Sequence, residues 1–414
     1  MTTSTSKMLM NPRLLAILAF GFASGLPLSL TGATLQAWFT EANVNLKTIG
    51  ILSLLGIPYT LKFLWAPLMD HYGFTALGKR KTWIMLMQLA LVIMLFVLSQ
   101  MDPAVQAGSM GIAALAIAFF SASQDISINA YTTDVLTSDE RGLGAAYTVF
   151  AYRIALLVSG GLALIYADYF GWEKTYECMA LLMLLAMIPA YFAPRPQEAA
   201  VSAQNLYQTT RLSLVDLLKR DKMILLLLFI ILYKFGDALA LSLITNFLLH
   251  GLGFTLTEVG LAYKIVSFVA MILGGFAGGI LMTRWNIYYA LLVFGLAQAF
   301  SNLTFAVLAY AGKSFVLMAA SVFIENFCSG LSTAALLAFM MSLCDRRYTA
   351  SQFALLSAVA SIGRVFLGPL AALMVENLGW VQFYIWSFVL CFPGIFLLAL
   401  LKDEVRFHAH AAAD

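Results

Sequence analysis

The chain has 414 residues, of which 62% are hydrophobic and 11% charged, and its formal net charge is +3. Soluble proteins carry about 25% charged residues, so this composition excludes a water-soluble globular domain. The small net charge excludes a nucleic-acid-binding protein. The four cysteines lack the paired spacing of a zinc-binding or disulfide-stapled module; they are Cys178, Cys328, Cys344 and Cys391. The sequence is that of an integral membrane protein.

A membrane-spanning helix needs about 20 mostly apolar residues. The sequence contains twelve such stretches, and we predict one spanning helix for each. In chain order they are Leu14–Trp38, Thr48–Met69, Thr82–Gln100, Ala107–Thr133, Gly142–Ala167, Tyr176–Ala193, Met223–Leu249, Val259–Thr283, Tyr289–Ala311, Val316–Cys344, Ser351–Val375 and Val381–Leu401. The first stretch is too long for the apolar core of a cleavable signal peptide, so we interpret it as helix one.

Lysine and arginine are unevenly distributed between the two sides of these predicted helices. The N-terminus, alternate turns and C-terminal tail hold sixteen of the 24 basic residues, whereas the opposite turns hold only Lys47, Lys174 and Lys313. Because basic residues concentrate on the cytoplasmic side, both termini are predicted to be cytoplasmic. The longest polar stretch, residues 194–222, is predicted to contain a short amphipathic helix on the membrane surface.

The sequence also repeats itself at an offset of 208 residues. A Gly-Trp-x-x-x-Tyr pattern that begins at Gly171 recurs at Gly379. This repeat predicts an all-α membrane protein with two parallel six-helix repeats. The predicted parts are an N-terminal half (1–193), a cytoplasmic linker (194–222), a C-terminal half (223–401) and a cytoplasmic tail (402–414). The plan resembles that of major facilitator superfamily transporters, in which substrate binds near the middle of the membrane.

Eight ionisable residues fall inside the predicted spans: Lys62, Asp125, Arg153, Lys234, Asp237, Lys264, Glu325 and Arg364. A charge at the centre of a spanning helix costs about 2.5–3.5 kcal/mol, so these groups must pair or line water. None of them lies on predicted helices 3, 6, 9 or 12, which favours a cavity lined by the other eight helices. The alternative is that they form packing ion pairs or gates between the halves.

Equal depth in the membrane predicts which of these charges pair, since a helix rises about 1.5 Å per residue. The pairs predicted in this way are Asp125–Arg153, Asp237–Arg364 and Lys264–Glu325, with Lys234 also able to share Asp237 from one turn away. The five cations outnumber the three anions, which favours an anionic substrate. No histidine lies in a span, so a carboxyl group must carry any transported proton.

Three further stretches of the sequence are distinctive enough to indicate a family. They are Ser121-Ala122-Ser123-Gln124-Asp125, Lys62-Phe63-Leu64-Trp65-Ala66-Pro67 and Tyr233-Lys234-Phe235-Gly236-Asp237-Ala238. Together they resemble the AmpG muropeptide permease family. Asp70, followed by Lys79, Arg80 and Lys81, is similar to the gating loop of the major facilitator superfamily.

The resemblance implies a multi-pass importer of the bacterial inner membrane. Its cargo would be anhydro-muropeptides, that is, N-acetylglucosaminyl-1,6-anhydro-N-acetylmuramyl peptides, which serve peptidoglycan recycling and β-lactamase induction. Uptake would be a proton symport by alternating access, with no enzymatic activity, no metal and no cofactor beyond the proton gradient. The implied partners are the small-molecule muropeptide, protons and the lipid bilayer, with no nucleic acid, and the functional unit would be a monomer.

The candidate residues combine this resemblance with the charge argument. The predicted proton-coupling residues are Asp125, Glu325 and Asp237, and the predicted gating residues are Asp70, Lys79, Arg80 and Lys81. The predicted substrate contacts are Gln124, Lys62, Arg153, Lys234, Lys264, Arg364, Trp38 and Tyr152.

Three alternatives remain open from the sequence. The nearest is another carrier of the same superfamily, for an anionic solute such as acetyl-CoA or for a drug. A membrane-embedded hydrolase is the second, although Lys234 replaces the first glycine of the Gly-x-Gly-Asp motif of intramembrane aspartyl proteases. The third is a receptor that binds its ligand without transporting it.

Overall fold

The computed structural model describes residues 11–66, 69, 78–136, 141–195, 217, 222–282, 284–343 and 349–405. All regular secondary structure within these ranges is helical. Residues 1–10, residues 406–414 of the predicted tail, and nearly all of the predicted linker with its amphipathic helix lie outside the described residues.

The chain folds into two compact units. The first unit comprises Met1–Val44 and Leu55–Ala203, and the second comprises Asn45–Leu54 and Gln204–Asp414. The predicted N-terminal half included residues 45–54, whereas their contacts group them with the second unit. The predicted boundaries of the halves and of the linker otherwise stay predictions.

The helices of the first unit are α1 (Pro12–Thr31), α2 (Ala33–Glu41), α4 (Ile57–Leu61), α5 (Lys79–Ser99), α6 (Pro103–Val135), α7 (Arg141–Leu156), α8 (Ala163–Phe170) and α9 (Trp172–Phe192). A 3₁₀ turn, Lys62–Leu64, follows α4, and a π-helical turn, Leu157–Leu162, joins α7 to α8. Within this unit α1 packs against α7 and α6, and α5 packs against α6 and α9.

The helices of the second unit are α3 (Leu46–Ile51), α10 (Met223–Tyr233), α11 (Phe235–Leu241), α12 (Ile244–Asn246), α13 (Leu256–Glu258), α14 (Ser267–Met282), α15 (Ile287–Ala311), α16 (Phe315–Ser342), α17 (Thr349–Val389) and α18 (Phe392–Leu400). Two π-helical turns, Phe247–Gly251 and Val259–Val266, follow α12 and α13. Short polar side chains start several of the helices: Asn45, Asn286 and Ser314 each accept a backbone N–H of the first turn.

Ten helices of the described chain are long and apolar enough to cross a membrane. One of them, Leu355–Leu400, has 46 residues, more than twice the length that one crossing needs. Gly379 interrupts it with a φ of 75°, so this helix covers the last two predicted spans. The second predicted span corresponds to the shorter apolar stretch Leu46–Leu61. The chain is therefore a multi-pass, all-helical membrane protein.

The repeat found in the sequence recurs in the geometry of the two units. Gly171 and Gly379 both have positive φ angles, 82° and 75°, which glycine adopts without steric cost. The tryptophan and tyrosine that follow Gly171 lie against Trp38, with ring centroids 5.7 and 5.0 Å away. Those that follow Gly379 lie against Phe247, at 5.0 and 4.9 Å. In each unit, the glycine that ends one helix is therefore followed by a tryptophan and a tyrosine that pack against an aromatic ring of the same unit.

Residues 45–54 are held against α17 by polar and close backbone contacts. Ser53 donates a hydrogen bond to the carbonyl of Val365 (2.8 Å), and Lys47 pairs with Glu376 (Nζ to Oε2, 3.1 Å). A Cβ atom at Gly50 would lie within 3 Å of the Gly368 carbonyl oxygen, so glycine permits this approach. These contacts explain why the segment groups with the second unit.

Small residues also allow α14 and α16 to approach closely. The sequence has two small-residue spacings on α14, Gly274/Gly278 and Gly275/Gly279, and the structure distinguishes them. A Cβ atom at Gly274 would overlap the Phe327 backbone, whereas Cβ atoms at Gly275 and Gly279 would meet no atom within 4 Å. Only the Gly274 stripe is therefore required by helix packing.

We predict opposite effects for alanine at these adjacent glycines. Gly274→Ala should destabilise the folded protein by about 1–3 kcal/mol, because α14 and α16 must separate. Gly275→Ala should be neutral or stabilising by up to about 1 kcal/mol, because alanine is the better helix former. Thermal unfolding in detergent compares the two variants, and equal loss of stability in both would contradict the packing argument.

Candidate functional site

The first unit contains a polar cluster around Asp125 on α6. Ser24 of α1 donates a hydrogen bond to one carboxylate oxygen (2.5 Å), and Lys62 lies 3.9 Å from the other. The side chains of Lys62 and Asp125 are 35% and 15% exposed, so the ion pair is reached by solvent on its lysine side. Asp125, predicted to pair with Arg153, thus has Lys62 as its ion-pair partner among the described residues.

Buried polar groups that have no protein partner lie on the same helix. Both amide atoms of Gln124 and the hydroxyls of Ser121 and Ser127 make no hydrogen bond with the described residues. The hydroxyl of Tyr59, which lies near Asp125 and Ser121, is also buried and outside hydrogen-bonding geometry with the described residues. A buried polar atom without a partner costs about 1–3 kcal/mol, so these groups are available to water or to a polar ligand.

Three other predicted contacts of the first unit are placed differently. Tyr152 and Arg153 are half-buried on α7, and the Tyr152 carbonyl closely approaches Gly25 of α1. Trp38 is only 7% exposed, because the aromatic cluster described above encloses its ring. The roles of these residues as substrate contacts stay predictions.

The predicted gating residues are engaged in local contacts. Lys81 donates hydrogen bonds to the carbonyls of Tyr191 and Ala193 (2.8 and 2.7 Å), at the carboxyl end of α9. A cation in this position satisfies helix-terminal carbonyls. Arg80 pairs with Asp134 of α6 (3.2 Å). Lys79 starts α5, and Asp70 lies outside the described residues, so a gating role for this set stays a prediction.

The second unit contains a polar network where a helix is interrupted. Lys234 separates α10 from α11, with non-helical backbone angles. Its ammonium donates to the Ser332 hydroxyl (2.7 Å) and to Asp237 Oδ2 (3.3 Å). The spacing of three residues correctly predicted this ion pair. Interrupted helices with polar groups at the break are typical of transporter binding sites.

One amide connects the two buried carboxyl groups of this unit. Gln298 Nε2 of α15 lies 2.9 Å from Asp237 Oδ1 and 3.4 Å from Glu325 Oε1. Asp237 is 7% exposed, and Glu325 of α16 is completely buried. Lys264, the cation predicted for Glu325, has a side chain that lies outside the described residues, so that pair stays a prediction.

Arg364 does not reach its predicted carboxylate partner. Asp237 instead pairs with Lys234 and accepts a hydrogen bond from Gln298. The Arg364 side chain is instead exposed on α17, fifteen residues before the turn at Gly379. Arg364 also lies fifteen residues after the start of α17 at Thr349, so it is midway along the segment that ends at Gly379, where a spanning helix is deepest in the membrane.

Sequence reasoning missed the neutral members of both clusters, Ser24, Gln298 and Ser332. Serine is common in spanning helices and carries no charge, so its pattern gave no signal. Gln298 could have been noticed, because an amide inside an apolar run needs a partner.

Comparison with known proteins shows the family to which the sequence belongs. The sequence profile of the Major Facilitator Superfamily matches residues 14–365 and, in an overlapping match, residues 226–413. The anhydromuropeptide permease of Escherichia coli strain K12 is 43% identical over 408 residues, which cover 98% of this chain and 83% of the relative. The chain belongs to the AmpG permease family of this superfamily.

Other comparisons agree with that family. Putative transporter AmpG 4 of Rickettsia felis is 30% identical over 97% of this chain and 99% of its own. The crystal structure of a D-xylose–proton symporter is 12% identical and covers 93% of this chain and 96% of its own, with a TM-score of 0.71, which shows the fold. This AmpG-family chain is therefore a carrier rather than an enzyme, and a multi-pass protein of the bacterial inner membrane.

We predict that Lys81 stabilises this AmpG-family fold. Lys81→Met should lower the free energy of unfolding by about 1–3 kcal/mol, because the carbonyls of Tyr191 and Ala193 at the end of α9 lose their donor. Lys174→Met, which removes an exposed lysine from α9, should have little effect. Thermal unfolding of the two variants measures the difference. An unchanged melting temperature for Lys81→Met would show that its carbonyl contacts contribute nothing.

Proposed function

We propose that the chain imports anhydro-muropeptides across the inner membrane by proton symport and alternating access. The 43% identity to a protein named anhydromuropeptide permease supports this cargo. The proposal includes twelve spans, cytoplasmic termini and a functional monomer with no cofactor beyond the proton gradient. A carrier of another anionic solute, such as acetyl-CoA or a drug, is the alternative.

The exposed guanidinium of Arg364 is the observation that most supports an acidic cargo. An arginine at this depth is too costly to place against lipid, which argues that it faces a water-filled space. A guanidinium matches the geometry of a carboxylate with two parallel hydrogen bonds. The peptide stem of a muropeptide carries such carboxylates.

The cluster around Asp125 supports a second set of contacts. The partly exposed Lys62 adds positive charge, and the amide of Gln124 and the hydroxyls of Ser121 and Tyr59 have unused hydrogen-bonding capacity. These groups suit the hydroxyl and N-acetyl groups of the disaccharide. Arg153, Lys264, Trp38 and Tyr152 complete the proposed substrate contacts.

Uptake into membrane vesicles tests the proposal. Labelled anhydro-muropeptide should accumulate when the outside is acidic and should equilibrate without accumulation when an ionophore removes the pH gradient. Unlabelled muropeptide should compete, and acetyl-CoA should not. Binding without accumulation under any gradient would indicate a receptor, and competition by acetyl-CoA alone would indicate the alternative cargo.

We predict that Arg364 distinguishes substrates by their peptide stem. Arg364→Ala should weaken apparent affinity for a stem-bearing muropeptide by about 10- to 100-fold, the value of a charged hydrogen-bonded contact. The bare disaccharide should be affected much less. Competition assays on both substrates measure the ratio, with Arg284→Ala as a control at an exposed arginine outside the spans. Equal losses for the two substrates would argue for a structural role.

A further inference from the structure

Four helix ends of the first unit meet on one apolar cluster. Buried side chains from the starts of α1 and α5 and from the ends of α6 and α9 form it, and they include Leu14, Ile84, Tyr131 and Ala193. The Tyr131 hydroxyl also donates a hydrogen bond to the Pro194 carbonyl (2.7 Å). The charged residues beside these helix ends are therefore brought together at the edge of the cluster.

That edge carries an excess of positive charge. Its cations are Arg13, Lys79, Arg80, Lys81 and Arg195. On these four helix ends, Asp134 is the one acidic side chain among the described residues, and it pairs with Arg80. Five cations against one carboxylate leave an excess of four positive charges.

Three of these cations surround the carboxyl end of α9, and we call Arg13, Lys81 and Arg195 the basic rim. Arg13 lies close to Tyr131, and Arg195 lies close to Lys81. Like charges at short distance repel each other, so an anion shared between them would stabilise the arrangement.

Basic side chains in the second unit are arranged differently. Lys222 pairs with Glu404 (Nζ to Oε1, 2.6 Å), and the ammonium of Lys402 lies over the ring of Tyr288, 5.9 Å from its centroid. A carboxylate and an aromatic face there meet the demand of the cations from within the protein. The basic rim is thus not simply a consequence of having lysine and arginine at helix ends.

The basic rim lies at one boundary of the hydrocarbon core. Helix α5 runs from Lys79 to Ser99, and its 21 residues extend over about 31 Å, close to the thickness of that core. Its first residues therefore lie at the level of the lipid headgroups. Tyr191 and Phe192, on the last turn of α9, are 54% and 77% exposed, as is typical of aromatic side chains at this level.

An apolar surface continues from the basic rim toward the membrane centre. Helices α5 and α9 pack against each other and expose large apolar side chains along their outer faces. These side chains include Leu86, Leu89 and Ile93 of α5 and Leu184, Leu185 and Ile188 of α9. A molecule with an anionic head and apolar chains would match both the rim and this surface, whereas a soluble phosphate would match the rim alone.

We propose that the basic rim binds the headgroup phosphate of one anionic phospholipid, whose acyl chains lie along α5 and α9. Arg13 and Arg195 would contact the phosphate, because a guanidinium offers it two parallel hydrogen bonds. The Lys81 ammonium is held by two backbone carbonyls and would add positive charge from beneath. The predicted cytoplasmic side of the membrane is also the side where anionic lipids give a negative surface potential. The proposal does not depend on the cargo.

Acidic residues in the adjoining segments could also supply the anion. Asp70, Asp139, Glu140 and Glu198 lie outside the described residues. The experiment below therefore includes the outcome in which they neutralise the rim.

Lipid binding is measured on the full-length protein purified in an uncharged detergent, by titration followed with native mass spectrometry. Phosphatidylglycerol should bind at least tenfold more tightly than phosphatidylethanolamine with the same acyl chains, which has no net charge. Raising the ammonium acetate concentration should reduce this preference, because salt screens exposed charges. Glycerol 3-phosphate, which has the phosphate but no chains, should not displace the bound lipid at equal concentration.

The rim arginines are tested one at a time. Arg195→Gln and Arg13→Gln should each weaken phosphatidylglycerol binding about fivefold, the effect of one basic residue near an anionic headgroup. Arg195→Lys, which keeps the charge, should lose less than Arg195→Gln. Lys174→Gln, at the opposite end of α9, is the matched control and should bind as the wild type does. Either glutamine variant suffices if the other does not fold.

The remaining outcomes would overturn the proposal. Equal binding of the two lipids by the wild type would show that acidic residues of the chain neutralise the rim. Unchanged affinity in both glutamine variants would place any bound lipid elsewhere. Displacement by glycerol 3-phosphate at equal concentration would indicate a site for a soluble phosphate. No muropeptide is present in these measurements, so they are independent of the proposed function.

Discussion

A charged side chain in an apolar environment needs a partner, and this requirement determines how the polar residues of both units are arranged. Asp125 obtains a hydroxyl and a lysine, and Asp237 obtains a lysine and an amide. In each unit, an anion is bound by at least one group from another helix, Ser24 for Asp125 and Gln298 for Asp237, so the contacts that satisfy the charge also hold helices together. Removing one partner would leave an uncompensated charge in the apolar interior, which is strongly destabilising.

The polar clusters of the two units differ in the exposure of their charged side chains and in the buried groups around them. In the first unit, the cation is partly exposed, and the unused groups nearby are hydroxyls and an amide that both donate and accept. In the second unit, the carboxyl groups are buried, and the buried atoms that have no partner among the described residues are oxygens of Glu325, Gln298 and Asn302 and the hydroxyls of Thr245 and Tyr384. The two clusters therefore differ in how far their charged groups are withdrawn from the surface of the protein.

Local patterns in the sequence predicted the structure well, and long-range pairing did not follow from them. The Gly-Trp-x-x-x-Tyr repeat predicted equivalent turns, because Gly171 and Gly379 adopt backbone angles that are essentially restricted to glycine. The three-residue spacing predicted the Lys234–Asp237 pair, because helix geometry brings those side chains together. Depth counting failed for Asp237 and Arg364. It measures height along a helix but not rotation about its axis, and the break at Lys234 turns Asp237 toward α15. The apolar stretches predicted the spanning helices one by one. They gave no indication that residues 45–54 would pack against α17.

That last feature affects how the chain can be divided. A cut in the connection between the units would release a piece containing residues 204–414 without the ten residues that cover Gly368, bond to Val365 and neutralise Glu376. The complementary piece would carry this segment without those partners. A divided chain therefore keeps these contacts only if residues 45–54 stay on the same piece as α17.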